Sequence, residues 1–396
     1  MPLPLALSRR RLLEGSLLGG SGLLSACATP GAGSASTLPA IRARTDRIFD
    51  IAVCLRPFRA AGPRLDSERV GNALVVHNYG HGGSGWSLSW GSSTIAVAKA
   101  MQTSPSEIAV IGCGILGLTS AILAQRAGAK VTIYAREQLP MTRSFRATGA
   151  WTPDSRIALA DAAGPGFEAL WSEMARTSYK THREYLGLPG APVEWTDYYS
   201  VVPDETKPAK PPAPSAPPLD FAAYGRDISD LVPKSRRLSP EAAPFRAAAV
   251  YRNEIMIFNI ADYGHMLLND FFTAGGRFQH ADFRTPAQIA ALGKKAVINC
   301  TGYGARALWQ DETVTPVRGQ IARLIPQRDV HYGLSYKQVF VVPRRDGIVV
   351  QDVAGGDMKG YGDTNEQVDR AESDRAVTTL AELFTPSRWR GAPYVA

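Results

Sequence analysis

Apolar runs that stop at glycine turns mark the main elements of the chain. Ile108-Ala109-Val110-Ile111 reads as a strand, a glycine turn follows, and an apolar helix is predicted over 115–127. After Gly128, the run Val131-Thr132-Ile133-Tyr134-Ala135 reads as a second strand, so 107–137 has the length of a complete βαβ unit. Lys295-Ala296-Val297-Ile298-Asn299-Cys300 is a further strand that runs straight into Thr301-Gly302. Open α/β sheets bind ligands beyond the carboxyl ends of their strands, so both glycine turns are expected to face one nucleotide. The same reading predicts strands over 49–55 and 276–283, helices over 86–101 and 376–384, and a pocket-shaping loop over 195–202.

Length and composition fit this α/β reading. The chain has 396 residues and 45% hydrophobic content, enough for two intimately packed domains or one large unit. Its four cysteines, Cys27, Cys54, Cys113 and Cys300, form neither a dense disulfide scaffold nor a Cys-x-x-Cys metal pair, so no metal is expected. The first 27 residues read as an address. Ser8-Arg9-Arg10-Arg11-Leu12-Leu13 is a twin-arginine pattern, a short apolar Gly-rich run follows, and Leu24-Ser25-Ala26-Cys27 resembles a bacterial lipobox, in which Cys27 would be the acylated residue. Export by the twin-arginine route is expected, followed by lipid anchoring to a bacterial membrane on the periplasmic side. That route carries folded proteins and suits one that captures a bulky cofactor first.

The net charge of +8 includes +2 from the leader, where three arginines face one glutamate, and the remaining basic residues are dispersed. No basic stripe with interleaved aromatics is present, which argues against nucleic acid as a partner. Residues 28–40 are rich in Gly, Ala, Ser, Pro and Thr and read as a flexible tether. Residues 202–218 carry seven prolines and read as a surface loop, an active-site lid or a disordered insertion.

The first glycine turn, Gly112-Cys113-Gly114-Ile115-Leu116-Gly117, is a G-x-G-x-x-G in its strand-to-helix context. Its glycines serve a tight turn, backbone approach to pyrophosphate and close helix–strand packing. The helix N-terminus offers free N–H groups to the phosphates. Ala135, Arg136 and Glu137 lie where an acidic residue would hold a ribose, but Arg136 would equally suit a 2′-phosphate, so this spacing does not choose between flavin and nicotinamide.

Thr142-Arg143-Ser144-Phe145-Arg146-Ala147-Thr148-Gly149-Ala150-Trp151-Thr152-Pro153 and the segment 297–307, followed by Val317-Arg318-Gly319-Gln320, resemble FAD-contacting segments of the D-amino-acid oxidase family. Leu55-Arg56-Pro57-Phe58-Arg59 and His77-Asn78-Tyr79-Gly80-His81-Gly82-Gly83-Ser84-Gly85-Trp86 resemble that family's closing signature. In the family these segments come last, whereas here they precede the glycine turn, so the order is read as circularly permuted. Such an order is permissible where ordinary termini lie close together.

The resemblance implies an α/β fold: a Rossmann-like FAD-binding domain with an interleaved mixed-sheet substrate domain. The expected layout is leader 1–27, tether 28–45, permuted closing segment 46–100, connector 101–106, FAD-binding βαβ region 107–153, substrate domain 154–275, second FAD-contacting region 276–320, and a substrate-domain remainder with C-terminal helix over 321–396. It assigns FAD to the glycine turn, to Ser144, Thr148, Gly149 and Ala150, to Cys300, Thr301 and Gly302, and to Gly82, Ser84, Gly85, Trp86 and Ser87. Phe283 is assigned to the adenine end.

The activity implied is hydride transfer from the Cα of a D-amino acid to the flavin, with hydrolysis of the imino acid to keto acid and ammonia. Arg56 matches the carboxylate clamp, Tyr336 a tyrosine over the substrate, Gly83 an acceptor for the amine, and Phe340 a position usually held by a second tyrosine. Phe340 therefore lacks a hydroxyl that would contact the carboxylate. His77 and His81 could serve as catalytic bases, but the chemistry needs no histidine and they are read as turn or helix-capping residues; Cys113 and Cys300 are read as small packing residues. The acceptor is expected to be oxygen, giving peroxide, with a membrane quinone as the alternative for an anchored dehydrogenase. A flavin-binding protein without turnover is the reading from another class.

Overall fold

The computed structural model describes residues 38–204 and 218–391. The twin-arginine leader, Cys27, most of the tether and most of the Pro-rich segment lie outside the described residues. In chain order the elements are β1 Ile48–Phe58, β2 Ser67–Val70, β3 Ala73–His77, α1 Ser89–Met101, β4 Glu107–Ile111, α2 Ile115–Arg126, β5 Lys130–Ala135 and α3 Phe167–Arg183. Then come β6 Val193–Val202, β7 Arg236–Arg237, β8 Ala249–Phe258, α4 Ile260–Thr273, β9 Arg277–His280, α5 Pro286–Ala290 and β10 Ala296–Asn299. The remainder is α6 Ala305–Leu308, β11 Thr315–Leu324, β12 Tyr332–Tyr336, β13 Val339–Arg344, β14 Gly347–Asp352 and α7 Arg370–Ala381.

A six-stranded sheet in the order β2-β3-β10-β4-β5-β9 is parallel except for its edge strand β2. Its strands are continuous apolar runs because both faces are covered. Val76, Val110 and Ile298 pack with α1, α2 and α4 on one side, and Val75, Ala109 and Val297 pack with Ile289 and Leu308 on the other. The second sheet has eight strands in the order β1-β11-β14-β13-β12-β6-β8-β7 and is mixed, with β12 parallel to β6. Its outer face closes a core of Tyr332, Leu334, Val341 and Val350 against Val377 and Leu380 of α7. An α/β fold with a parallel nucleotide-type sheet and a mixed sheet is therefore what the chain adopts.

Residues from before and after the βαβ unit interleave. β1 pairs antiparallel with β11 along almost its whole length, and β3 lies parallel beside β10. α1 ends at Met101 and β4 begins at Glu107, which leaves five residues as the link.

Three local expectations change. Residues 195–202 are no loop but most of β6, paired from Val193↔Phe258 to Val202↔Ala249; Trp195, Thr196, Tyr198, Tyr199, Val201 and Val202 are the aromatic and β-branched types that favour a pleated surface. The strand predicted over 276–283 keeps only Arg277–His280, at the sheet edge where its outer side has no partner strand. The C-terminal helix starts earlier, at Arg370, because the Asp369 carboxylate accepts from the Glu372 N–H at 2.9 Å and caps it.

Candidate active site

The cleft begins at the carboxyl ends of β4 and β10, which are neighbours in the sheet; Cys300 N–H donates to the Ile111 carbonyl at 2.8 Å. The two glycine turns therefore stand side by side. Gly112 has φ +103, and a Cβ there would lie 2.5 Å from the Cys300 carbonyl oxygen. A Cβ on Gly117 would lie 2.0 Å from the Gly112 oxygen, so this glycine packs α2 against the turn and does not itself line the cleft. The first turn of α2 has no side-chain cap at its N-cap, Gly114, although Ile115 N–H donates to Ser144 Oγ at 3.1 Å. Bare backbone N–H groups at a helix start suit a pyrophosphate.

The cleft has a volume of about 610 Å³ and is walled by both sheets. Gly112, Cys113, Gly114, Ile115 and Leu116 line it with Ala135, Arg136, Glu137, Ser144, Thr148, Gly149 and Ala150. Phe283, Cys300, Thr301 and Gly302 line it too. Thr148 Oγ1 donates to Gln351 Oε1 at 3.0 Å, which ties that wall to β14. Arg136 Nε stands 3.7 Å from Asp282 Oδ1. A carboxylate beside that arginine, with Glu137 next in the chain, opposes a 2′-phosphate and leaves a ribose hydroxyl as the fitting group. The buried thiols of Cys113 and Cys300 are each pushed up to about 12 by burial, which keeps them protonated packing groups.

The Gly82-Gly83 loop follows β3 from the same carboxyl edge, since His77 pairs opposite Asn299 and Asn78 N–H donates to the Asn299 carbonyl at 2.8 Å. Gly82, Gly83, Gly85 and Trp86 line the cleft, and Trp86 Nε1–H donates to the Ser144 carbonyl at 2.8 Å. Ser84 and Ser87 do not line it. Ser84 Oγ donates to the Ser155 carbonyl at 3.0 Å and Ser87 Oγ accepts the Thr152 N–H at 2.8 Å, so these hydroxyls fasten the loop to the chain after Trp151. The helix begins at Ser89, later than expected, because Gly82 to Leu88 are spent in this fastened turn.

Arg56 projects from β1 into the cleft beside Gly319 of β11, and a Cβ on Gly319 would lie 2.2 Å from Arg56 Nη1. Glycine at 319 leaves the room the guanidinium occupies. Arg56 Nη1 donates to the Arg318 carbonyl at 3.4 Å, and among the described residues no carboxylate lies within 4.0 Å of it. Burial holds its pKa below the ordinary arginine value. A half-buried planar cation with no carboxylate in direct contact is a ready receptor for one.

Phe340 lines the cleft from β13, but Tyr336 does not. Tyr336 is 1% exposed on the far face of its sheet, and its hydroxyl donates to Glu382 at 3.3 Å. The hairpin explains the difference. Lys337 and Gln338 both have positive φ and form a tight two-residue turn, so Ser335 pairs with Phe340 while Tyr336 pairs with Val339 on the opposite face. The aromatic beside Phe340 is instead Tyr198 of β6, ring centroids 5.5 Å apart.

Two further residues line the cleft: Arg156, which carries no signal in the sequence, and His81, whose expected turn or capping role leaves its ring unexplained. Arg156 has φ 49, a left-handed conformation unusual for a residue with a Cβ, and its Nε and Nη2 donate to the carbonyls of Asp357 and Gly356, each at 2.8 Å. Burial, with the Arg56 charge added, pushes it down to about 10. His81 is 1% exposed, lines the cleft, and neither ring nitrogen has a hydrogen-bond partner among the described residues. Burial pushes it down to about 3, so it is neutral. His77 is a structural residue: its ring nitrogens meet Glu68 Oε1 at 2.7 Å and Asn299 Nδ2 at 3.0 Å.

The sequence profile of the family described as DAO, FAD dependent oxidoreductase, matches residues 107–394. A D-amino-acid oxidase of Streptomyces coelicolor is 28% identical over 221 residues, covering 54% of this chain and 58% of that protein. One of Rubrobacter xylanophilus is 29% identical over 253 residues, covering 62% of this chain and 68% of that protein. The first of these alignments spans less than two thirds of the relative's own length. Among solved structures, L-proline dehydrogenase from P. horikoshii is 16% identical with a TM-score of 0.45, covering 70% of this chain and 76% of that one.

Proposed function

The chain belongs to the FAD-dependent oxidoreductase family, and from that premise we propose that it oxidises the Cα–N bond of a D-amino acid, with oxygen as electron acceptor. The products are the 2-oxo acid, ammonia and hydrogen peroxide. FAD is the cofactor, and the cleft fits it: a first glycine turn too tight for a Cβ at Gly112, an uncapped helix start and an acidic residue after β5 line it together. The observation that carries the substrate reading is Arg56, half-buried in the same cleft and without a carboxylate within 4.0 Å among the described residues.

FAD, when bound, supplies the two-electron acceptor for the substrate's α-hydride. The protein's own part is orientation, because hydride transfer tolerates little misplacement. The Arg56 fork holds the α-carboxylate, and the Gly83 carbonyl accepts from the amine. Phe340, backed by Tyr198, offers an apolar wall without a hydroxyl, so the carboxylate relies on Arg56 more heavily than it would beside a tyrosine. Released imino acid is hydrolysed by water. The names of the Streptomyces and Rubrobacter relatives support the D configuration.

The leader pattern and Cys27 support a reading of twin-arginine export and a lipid anchor on the periplasmic side of a membrane. The pairing of β1 with β11, of β3 with β10, and the five-residue link before β4 support a permuted order of the family's segments. A steady-state assay with D-amino acids and a peroxide-coupled dye tests the reaction. One peroxide per 2-oxo acid is the expected yield. Keto acid without peroxide, restored in rate by a soluble quinone, would transfer the acceptor role to a membrane quinone.

A further inference from the structure

We propose that Arg156 is the receptor for a second, distal carboxylate, so that the substrate is an acidic D-amino acid spanning Arg56 and Arg156. The inference rests on the amino-acid oxidase reading above and concerns the same cleft. The two arginines flank a single residue: Gly82 N–H donates to the Pro57 carbonyl, next to Arg56, at 2.8 Å, and a Cβ on Gly82 would lie 1.9 Å from the Arg156 carbonyl oxygen. Both side chains line the cleft, and each charge lies within reach of the other, since Arg56 contributes to the depressed pKa of Arg156.

Their charges are poorly compensated. Both share one carboxylate, Asp357, which acts on Arg56 from beyond 4.0 Å and stands 3.6 Å from Arg156 Nη2, on a side chain 57% exposed that water screens. A monocarboxylate would pair with one half-buried cation and leave its neighbour with only the exposed Asp357. A dicarboxylate satisfies both, and a planar fork on each side binds it with defined spacing. Arg156 is also held in place: two backbone carbonyls fix its Nε and Nη2, and a left-handed backbone sets the direction from which it enters the cleft. A neutral side chain would receive nothing from this arrangement.

The test uses the FAD-loaded protein and two readouts. In substrate kinetics, D-aspartate or D-glutamate should exceed D-alanine by about 100-fold in kcat/KM, and Arg156→Gln should lower that ratio at least about tenfold. In binding, malonate should perturb the flavin spectrum at concentrations about tenfold below acetate in the parent and lose that advantage in the variant. If Arg156→Gln fails to retain FAD, Arg156→Lys, which keeps charge and loses the fork, should still lower the ratio several-fold. Turnover of neutral D-amino acids equal to or above that of acidic ones would overturn the inference and leave the oxidase reading standing. Absence of turnover with every amino acid would overturn the oxidase reading instead, and malonate binding no tighter than acetate would then overturn the second carboxylate site by itself.

Discussion

Gly319→Ala isolates the carboxylate clamp from the rest of the fold. The methyl group would start 2.2 Å from Arg56 Nη1, against ordinary contact at 3.4 Å, so the guanidinium must retreat by about 1.2 Å. Gly319 lies within the β1–β11 pairing, opposite Cys54, and its φ is outside the left-handed region, so alanine costs the strand little. The displaced fork keeps its charge and loses alignment with a bound carboxylate. Losing one of two charge-assisted hydrogen bonds removes about 1.5–3 kcal/mol, or roughly 10- to 150-fold in kcat/KM for any amino acid the protein turns over. The assay is steady-state kinetics beside FAD content from the ratio of flavin to protein absorbance, which should stay near the parent value. A variant with full FAD and kcat/KM within threefold of the parent would refute the assignment of Arg56.

Three other expectations follow from the same structure. Gly117→Ala brings a Cβ to 2.0 Å from the Gly112 carbonyl oxygen, a backbone atom that cannot swing away; overpacking of about 1–3 kcal/mol should lower Tm and leave the purified protein with little FAD, and unchanged FAD content would contradict it. His81 and His182 are buried and held near pKa 3 against an ordinary 6.5. Because the unfolded chain takes up protons that the native state refuses, their contribution is complete above pH 6.5 and is lost as pH falls; denaturant titration should show about 3 kcal/mol less stability at pH 5 than at 6.5, and a flat profile would contradict it. Cys27→Ser should release the protein from the membrane fraction while lysines at Arg10 and Arg11 hold it in the cytoplasm; an unchanged membrane fraction for Cys27→Ser would remove the lipid anchor.

The nucleotide half of the cleft was legible in the sequence because its chemistry is carried by local patterns. A glycine turn between an apolar strand and an apolar helix leaves few alternatives, and Gly112 through Leu116 stand where that pattern puts them. The substrate half depends on which face of a strand each side chain takes. Tyr336 and Phe340 look like one surface four residues apart, but the turn at Lys337 and Gln338 reverses the parity and sends Tyr336 to the far core. Ser84 and Ser87 look like ligands beside glycines, yet their hydroxyls are consumed by Ser155 and Thr152. Arg156 gave no sign, since its place depends on a left-handed backbone that nothing in Asp154-Ser155-Arg156 demands.

The most direct test of the central claim is anaerobic titration of the FAD-loaded protein with D- and L-amino acids, followed by flavin absorbance at about 450 nm. Bleaching by D-amino acids with no response to their L enantiomers is the expected result, and readmitted oxygen should restore the absorbance with release of peroxide. A flavin that stays oxidised before every amino acid would contradict the account.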